Sequence, residues 1–168
     1  MATSLQFIKS ASATSVDSLQ ITDCFNANYD VYQVVIDSDN SSNADLYIRV
    51  INNSGTVISS GSKYDFANLE MNSNTSFSDY RNTGANQFEG IGFTSLFGSS
   101  AVATFYNPHN SSSYTFASSQ TSAYYNSGQL RGGKSIGVYK NADTITGLEI
   151  RDNSTDFTYI NVSVYGVK

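Results

Sequence analysis

The sequence predicts an all-β protein, an antiparallel two-sheet β-sandwich of jelly-roll type. Three observations carry this expectation. Apolar residues recur with a period of two instead of the 3.6 of a helix. The poor helix formers Ser, Thr and Asn fill 28, 14 and 17 of the 168 positions. Clusters of Asn, Asp, Ser and Gly interrupt the alternating runs at short intervals.

Taken in order, strands are expected at about 4–9, 18–24, 29–37, 45–52, 56–60, 63–70, 87–94, 101–106, 112–118, 134–140, 144–151 and 157–167. Leu46, Ile48 and Val50 alternate with Tyr47, Arg49 and Ile51, so one face is apolar and the other is polar or aromatic. Asn52-Asn53-Ser54-Gly55 follows as a hairpin turn, with Thr56-Val57-Ile58 as the returning strand. Asp37 to Asn43 reads as a polar loop and Asn72 to Asn86 as a longer one. A short helix or turn is tolerated within 66–72, and residues 120–130 carry no clear pattern. Val102, Thr104 and Tyr106 restore the alternation, Asn107-Pro108 closes it, and Ile136 and Val138 resume it after Gly132-Gly133. The closing run from Phe157 to Val167, with Ile160, Val162 and Val164 on one face, is expected as an interior strand that pins the terminus.

More than ten short strands strain a single open sheet, so they should divide into two packed sheets. The chain exceeds an immunoglobulin domain and lacks its Cys-Trp-Cys pattern, having one Cys and no Trp. No linker or compositional break divides it, so residues 1–168 read as one domain.

Composition narrows the function. A net charge of −5 is a poor footprint for nucleic acid or an anionic membrane. No apolar run reaches the roughly 20 residues of a membrane-spanning helix. No catalytic residue is assigned. His109 is the sole histidine and sits in a polar loop, Glu89 and Glu149 read as outward strand residues paired with Arg151 or Arg131, and no nucleophile elbow occurs. Gly132-Gly133-Lys134-Ser135 lacks the earlier glycine and following helix of a phosphate loop, and reads as a tight turn with Arg131 and Lys134 in solvent. No cofactor is expected, and the chain is read as a non-enzyme.

One weak metal candidate stands out. Asp37, Asp39 and Asp45, with Ser41 and Asn43 between, place oxygen donors at every second position as in a calcium loop. Ser42 stands where such a loop needs Gly, and Ile48 where it needs Glu. A solvated, Asx-rich hairpin is the stronger reading.

The 12 tyrosines supply the ligand or interface candidates. Tyr124 and Tyr125, in a Ser- and Gln-rich segment, and Tyr47 and Tyr106, on alternating runs, are placed to stack on a sugar or anchor a subunit contact.

Three stretches together resemble a known group. They are Leu5-Gln-Phe-Ile-Lys-Ser with Val16-Asp-Ser-Leu-Gln-Ile-Thr-Asp-Cys-Phe; Tyr29-Asp-Val-Tyr-Gln-Val-Val-Ile-Asp with Asp45-Leu-Tyr-Ile-Arg-Val; and Tyr159-Ile-Asn-Val-Ser-Val-Tyr-Gly-Val-Lys. This ordered pattern resembles the small jelly-roll structural proteins of tailed, especially marine, phage virions. The resemblance implies a virion location and a capsid decoration or tail-associated knob, working through contacts with its own copies (a trimer favoured) and with proteins such as the major capsid protein. Its alternative is a receptor module that binds a host surface glycan.

Overall fold

The computed structural model describes residues 4–74, 77–153 and 156–168. Among these residues lie twelve strands: β1 (Leu5–Ala13), β2 (Ser18–Ile21), β3 (Val31–Asn40), β4 (Ala44–Asn52), β5 (Tyr64–Asn72), β6 (Ser78–Ala85), β7 (Phe88–Thr94), β8 (Ser99–Tyr106), β9 (Thr115–Tyr125), β10 (Gln129–Tyr139), β11 (Ile145–Asp152) and β12 (Phe157–Val167). They form two antiparallel sheets. The larger has the order β1-β12-β3-β8-β9-β10-β5-β6, and the smaller β2-β11-β4-β7. The result is a β-sandwich of jelly-roll-like arrangement, as the period-two pattern predicts.

The core lies between the sheets. Val34 and Ile36 of β3 and Ile160, Val162 and Val164 of β12 enter it from the large sheet, and Leu46, Ile48, Leu148 and Ile150 from the small one. These alternating β-branched and Leu side chains are why the strands were visible in sequence. Buried rings fill the remaining volume: Tyr64 meets Phe88 edge-on at 4.9 Å and Tyr139 at 5.1 Å. Each buried phenol keeps a polar partner, as burial demands. Tyr64 Oη donates to Ile58 O at 2.8 Å, and Tyr139 Oη to Asp143 Oδ2 at 2.6 Å.

Several elements differ from the sequence expectation. Residues 56–60 form no strand. Only the isolated bridge Ile51 to Val57 remains, around a turn that Asn52 Oδ1 closes by accepting from Ser54 N and Thr56 N. The strand expected at 63–70 is β5, and the short helix or turn tolerated within 66–72 does not form. The polar stretch 72–86 contains β6, an edge strand exposed over most of its length. The 120–130 segment belongs to β9 and β10. Gly132 and Gly133 lie inside β10, not in a turn. There Gly133 allows a close approach, because a β-carbon would come 3.3 Å from the Phe93 ring. The closing strand β12 is interior, lying between β1 and β3.

Candidate functional site

The two sheets differ in width, and the site follows from that. The small sheet ends at β7, whereas the large sheet continues through β10 and β5 to β6. β7 packs against β8, β9, β10 and β5. At this edge, inner-face residues of the wider sheet meet the flank of β4 and β7. They enclose a cleft of about 270 Å³ lined by Asp45, Tyr47, Asn68, Glu70, Tyr80, Glu89 and Gly90.

Period two assembles the cleft. Asp45 and Tyr47 share the outward face of β4, because Leu46 and Ile48 take the core face. Asn68 and Glu70 share the inner face of β5, and the register sets Asn68 opposite Tyr80 of β6. Gly90 of β7 has φ +65°, and the Asn68 carboxamide occupies the space a β-carbon there would need. Asn68 is only 7% exposed, yet its Oδ1 has no hydrogen-bond partner.

Supporting contacts hold the other groups. The Asn153 carboxamide braces β4 from both of its ends. Its Nδ2 donates to Tyr47 Oη at 3.0 Å, and its Oδ1 accepts from Asp45 N at 3.3 Å. The Tyr80 ring leans on Phe66 at 5.4 Å. Arg131 ion-pairs with Glu70 and donates to Tyr125 Oη at 2.9 Å. Its guanidinium lies 4.4 Å over the Phe93 ring and 5.1 Å from that of Tyr125. Arg131 is therefore an interior brace, not the solvent residue expected from a glycine turn.

Charge in the cleft is unbalanced. Asp45, Glu70 and Glu89 bring three carboxylates, and the ion pair of Arg131 goes to Glu70. Among the described residues no ion pair reaches Asp45 or Glu89. Burial pushes the Asp45 carboxyl up, Arg131 pulls it down, and Glu70, Glu89 and Asp152 push it up again. The negative charge of Glu89 pushes the Tyr80 phenol up, assisted by burial and by their hydrogen bond. Burial raises the Tyr47 phenol, against the hydrogen bond from Asn153.

The tyrosines singled out in sequence scatter over three places. Tyr47 lies in the cleft. Tyr125 is buried against Arg131 and Phe93, where burial pushes its phenol up to about 12. Tyr124, the next residue along β9, points the opposite way to an exposed edge contact with Phe97 at 6.1 Å. The two neighbours therefore make no common surface. Tyr106 lies on the outer face of the large sheet. There it borders a groove of about 600 Å³ with Phe116, Ile136, Val138 and Ala67. That groove is larger than the cleft but almost wholly apolar, whereas the cleft brings several polar groups together.

The oxygen-donor run also resolves differently from a loop. β3 continues to Asn40, leaving only 41–43 between the sheets. Asp37 and Asp39 lie on β3 in the large sheet and Asp45 on β4 in the small one. Among the described residues no group of three His, Cys, Asp or Glu is placed to hold a metal ion. Glu149 pairs with Arg49 at 3.3 Å, not with Arg131 or Arg151.

Sequence reasoning reached Asp45 and Tyr47 but not Asn68, Glu70, Tyr80 or Glu89 as members of one site. The signal was Asn68-x-Glu70, a polar pair two apart on the face where Tyr64 and Phe66 are buried.

No family model matches the chain, and no curated protein does. Among solved structures, it is similar to exo-inulinase from Aspergillus awamori, at 10% identity and a TM-score of 0.41, over 96% of this chain and 29% of that one. It is similar to a single mutant of congerin II, at 11% identity and a TM-score of 0.36, over 87% of this chain and 99% of that one. It is also similar to CG-16, a homodimeric agglutinin from chicken liver, at 9% identity and a TM-score of 0.32, over 90% and 98% of the two chains. The chain spans less than a third of the inulinase. At these TM-scores the likenesses carry no argument about function.

Proposed function

We propose that this chain is a glycan-binding recognition module, with the cleft beside β7 as its saccharide site. One observation carries the reading. The cleft joins two tyrosines, Tyr47 and Tyr80, to the acceptor groups of Asp45, Glu70, Glu89 and Asn68 within about 270 Å³. Ring faces stack on the apolar face of a pyranose, and carboxylate and amide oxygens accept from its hydroxyls. The volume lies just below the range of about 300–1,000 Å³ common for ligand pockets, which suits one sugar ring. We propose a virion surface as its location, a reading supported by the resemblance of three sequence stretches to small jelly-roll proteins of tailed phages.

Binding to a glycan array, followed by titration calorimetry on the best hit, tests the reading. Tyr47→Ala should weaken the hit about two- to tenfold, given the worth of an aromatic contact of this kind. Tyr106→Ala should leave it unchanged. A hit that responds to Tyr106 and ignores Tyr47 would move the site to the outer groove.

A second reading, a structural contact between virion subunits, draws on the outer face of the large sheet. Ile136 is 65% exposed and Phe116 50%, and together with Tyr106 they leave a broad apolar surface open. Such a surface suits a subunit contact, in a homotrimer or on the capsid. Light scattering tests the first arrangement: an oligomer that Ile136→Glu converts to monomer supports it, and a monomeric parent protein removes it.

A further inference from the structure

We infer that the cleft takes a pyranose carrying a protonated primary amine, an amino sugar, in preference to a neutral or acidic one. The inference rests on the saccharide reading and adds the charge of the ligand. Three carboxylates line the cleft, and the guanidinium beside them, Arg131, is already paired with Glu70 and packed against the Phe93 and Tyr125 rings. A neutral sugar would leave Asp45 and Glu89 desolvated without a counter-charge, a costly arrangement. The carboxylates are not grouped to hold a metal ion, so an organic cation is the fitting source of positive charge.

The nature of the nitrogen follows from the hydrogen-bond groups. Asn68 Oδ1 is a buried acceptor without a partner, and the carboxylates of Asp45 and Glu89 accept only. A primary ammonium supplies three N–H donors, whereas a quaternary one supplies none. Tyr47 and Tyr80 add ring faces that attract a cation. A sialic acid would bring its own carboxylate against Glu89 and Asp45 and be repelled.

The test is calorimetric titration of the intact chain with the methyl glycosides of glucosamine, galactosamine, glucose, galactose, N-acetylglucosamine and N-acetylneuraminic acid, with methylamine as a control. An amino glycoside should bind about tenfold tighter than its parent hexoside and its N-acetyl form. Glu89→Gln should shrink that preference, read as the ratio of the two affinities within the variant, to about threefold or less. Asp45→Asn should do the same, and it carries the test if the Glu89 variant does not fold. Equal binding of amino and neutral glycosides overturns the amine inference and leaves the saccharide reading standing. Binding of methylamine as tight as that of the amino glycosides overturns the sugar half of the inference. Absence of binding by every glycoside overturns both readings.

Discussion

The Asn68 carboxamide lies over the backbone of Gly90, in the volume where any other residue would place its β-carbon. A β5 side chain thereby becomes the floor of a cleft whose wall is β7. Gly90→Ala attacks this arrangement twice. It strains a left-handed φ of +65° and displaces the amide. The expected cost is about 1–3 kcal/mol, or a melting midpoint lower by about 2–12 °C for a domain of this size. Thermal unfolding by circular dichroism checks it. An unshifted midpoint would show that Asn68 moves aside freely.

Asp45 gives a stability effect with a defined sign. Its folded carboxyl titrates above the ordinary aspartate value, through burial first and then through Glu70, Glu89 and Asp152, against the opposing pull of Arg131. For an acid with a raised pKa the charged form costs stability. The cost is present above the folded value and disappears as pH falls below the unfolded one, about 3.9. Asp45→Asn should therefore melt higher than the parent at pH 7, and the gain should close as pH falls to about 4 and below. A gain that persists undiminished in acid would refute the charge account.

A buried polar cluster joins the sheets. Asn40 of β3 donates through Nδ2 to Asp152 of β11, and Thr94 Oγ1 of β7 donates to the same carboxylate at 2.9 Å. All three side chains are buried. Asp152→Ala removes the charged acceptor that Asn40 and Thr94 share and should cost about 2–4 kcal/mol, the worth of two buried hydrogen bonds to a carboxylate. Chemical denaturation should show a lower midpoint with an unchanged m-value. Asp152→Asn, which keeps shape and one acceptor oxygen, should lose less.

Cys24 reports on integrity without chemistry of its own. It is fully buried, and burial pushes its thiol up to about 12. The thiolate is the reactive form, so native protein at pH 8 should resist iodoacetamide, and protein in concentrated guanidinium should react fully. Mass spectrometry of the quenched samples decides. Rapid native labelling would mean that the segment after β2 opens readily.

The strands legible in sequence were those whose inner faces are Val, Ile or Leu, such as β3, β4 and β12. β6 was hidden because its residues Ser78 to Gly84 lie on an edge beyond the small sheet, where neither face needs to be apolar. The later half of β9 was hidden for a different reason. Its inward residues include Ser119 and Thr121, satisfied by bonds such as Ser119 Oγ to Ser135 Oγ at 2.6 Å, so burial proceeds without an apolar signal. The cleft was half legible. Asp45 and Tyr47 attracted notice, one as a metal donor and one as an aromatic. Their partners come from β5, β6 and β7, and only the unequal widths of two sheets bring them together. No spacing along the chain encodes that.

The pairing of β1 with β12 has a practical consequence. Ser4 and Lys168 exchange backbone hydrogen bonds, at 3.3 and 3.1 Å, on the edge of the large sheet opposite to the cleft. A short Gly-Ser bridge can join them, and the chain can be reopened at the tight turn around Gly128, which has φ +81° and open space around it. A circular permutant of this kind should keep its fold. Its new ends would emerge at the β9–β10 turn, so a label or second module could be moved there from a junction that lies roughly 30 Å from the cleft along the sheet.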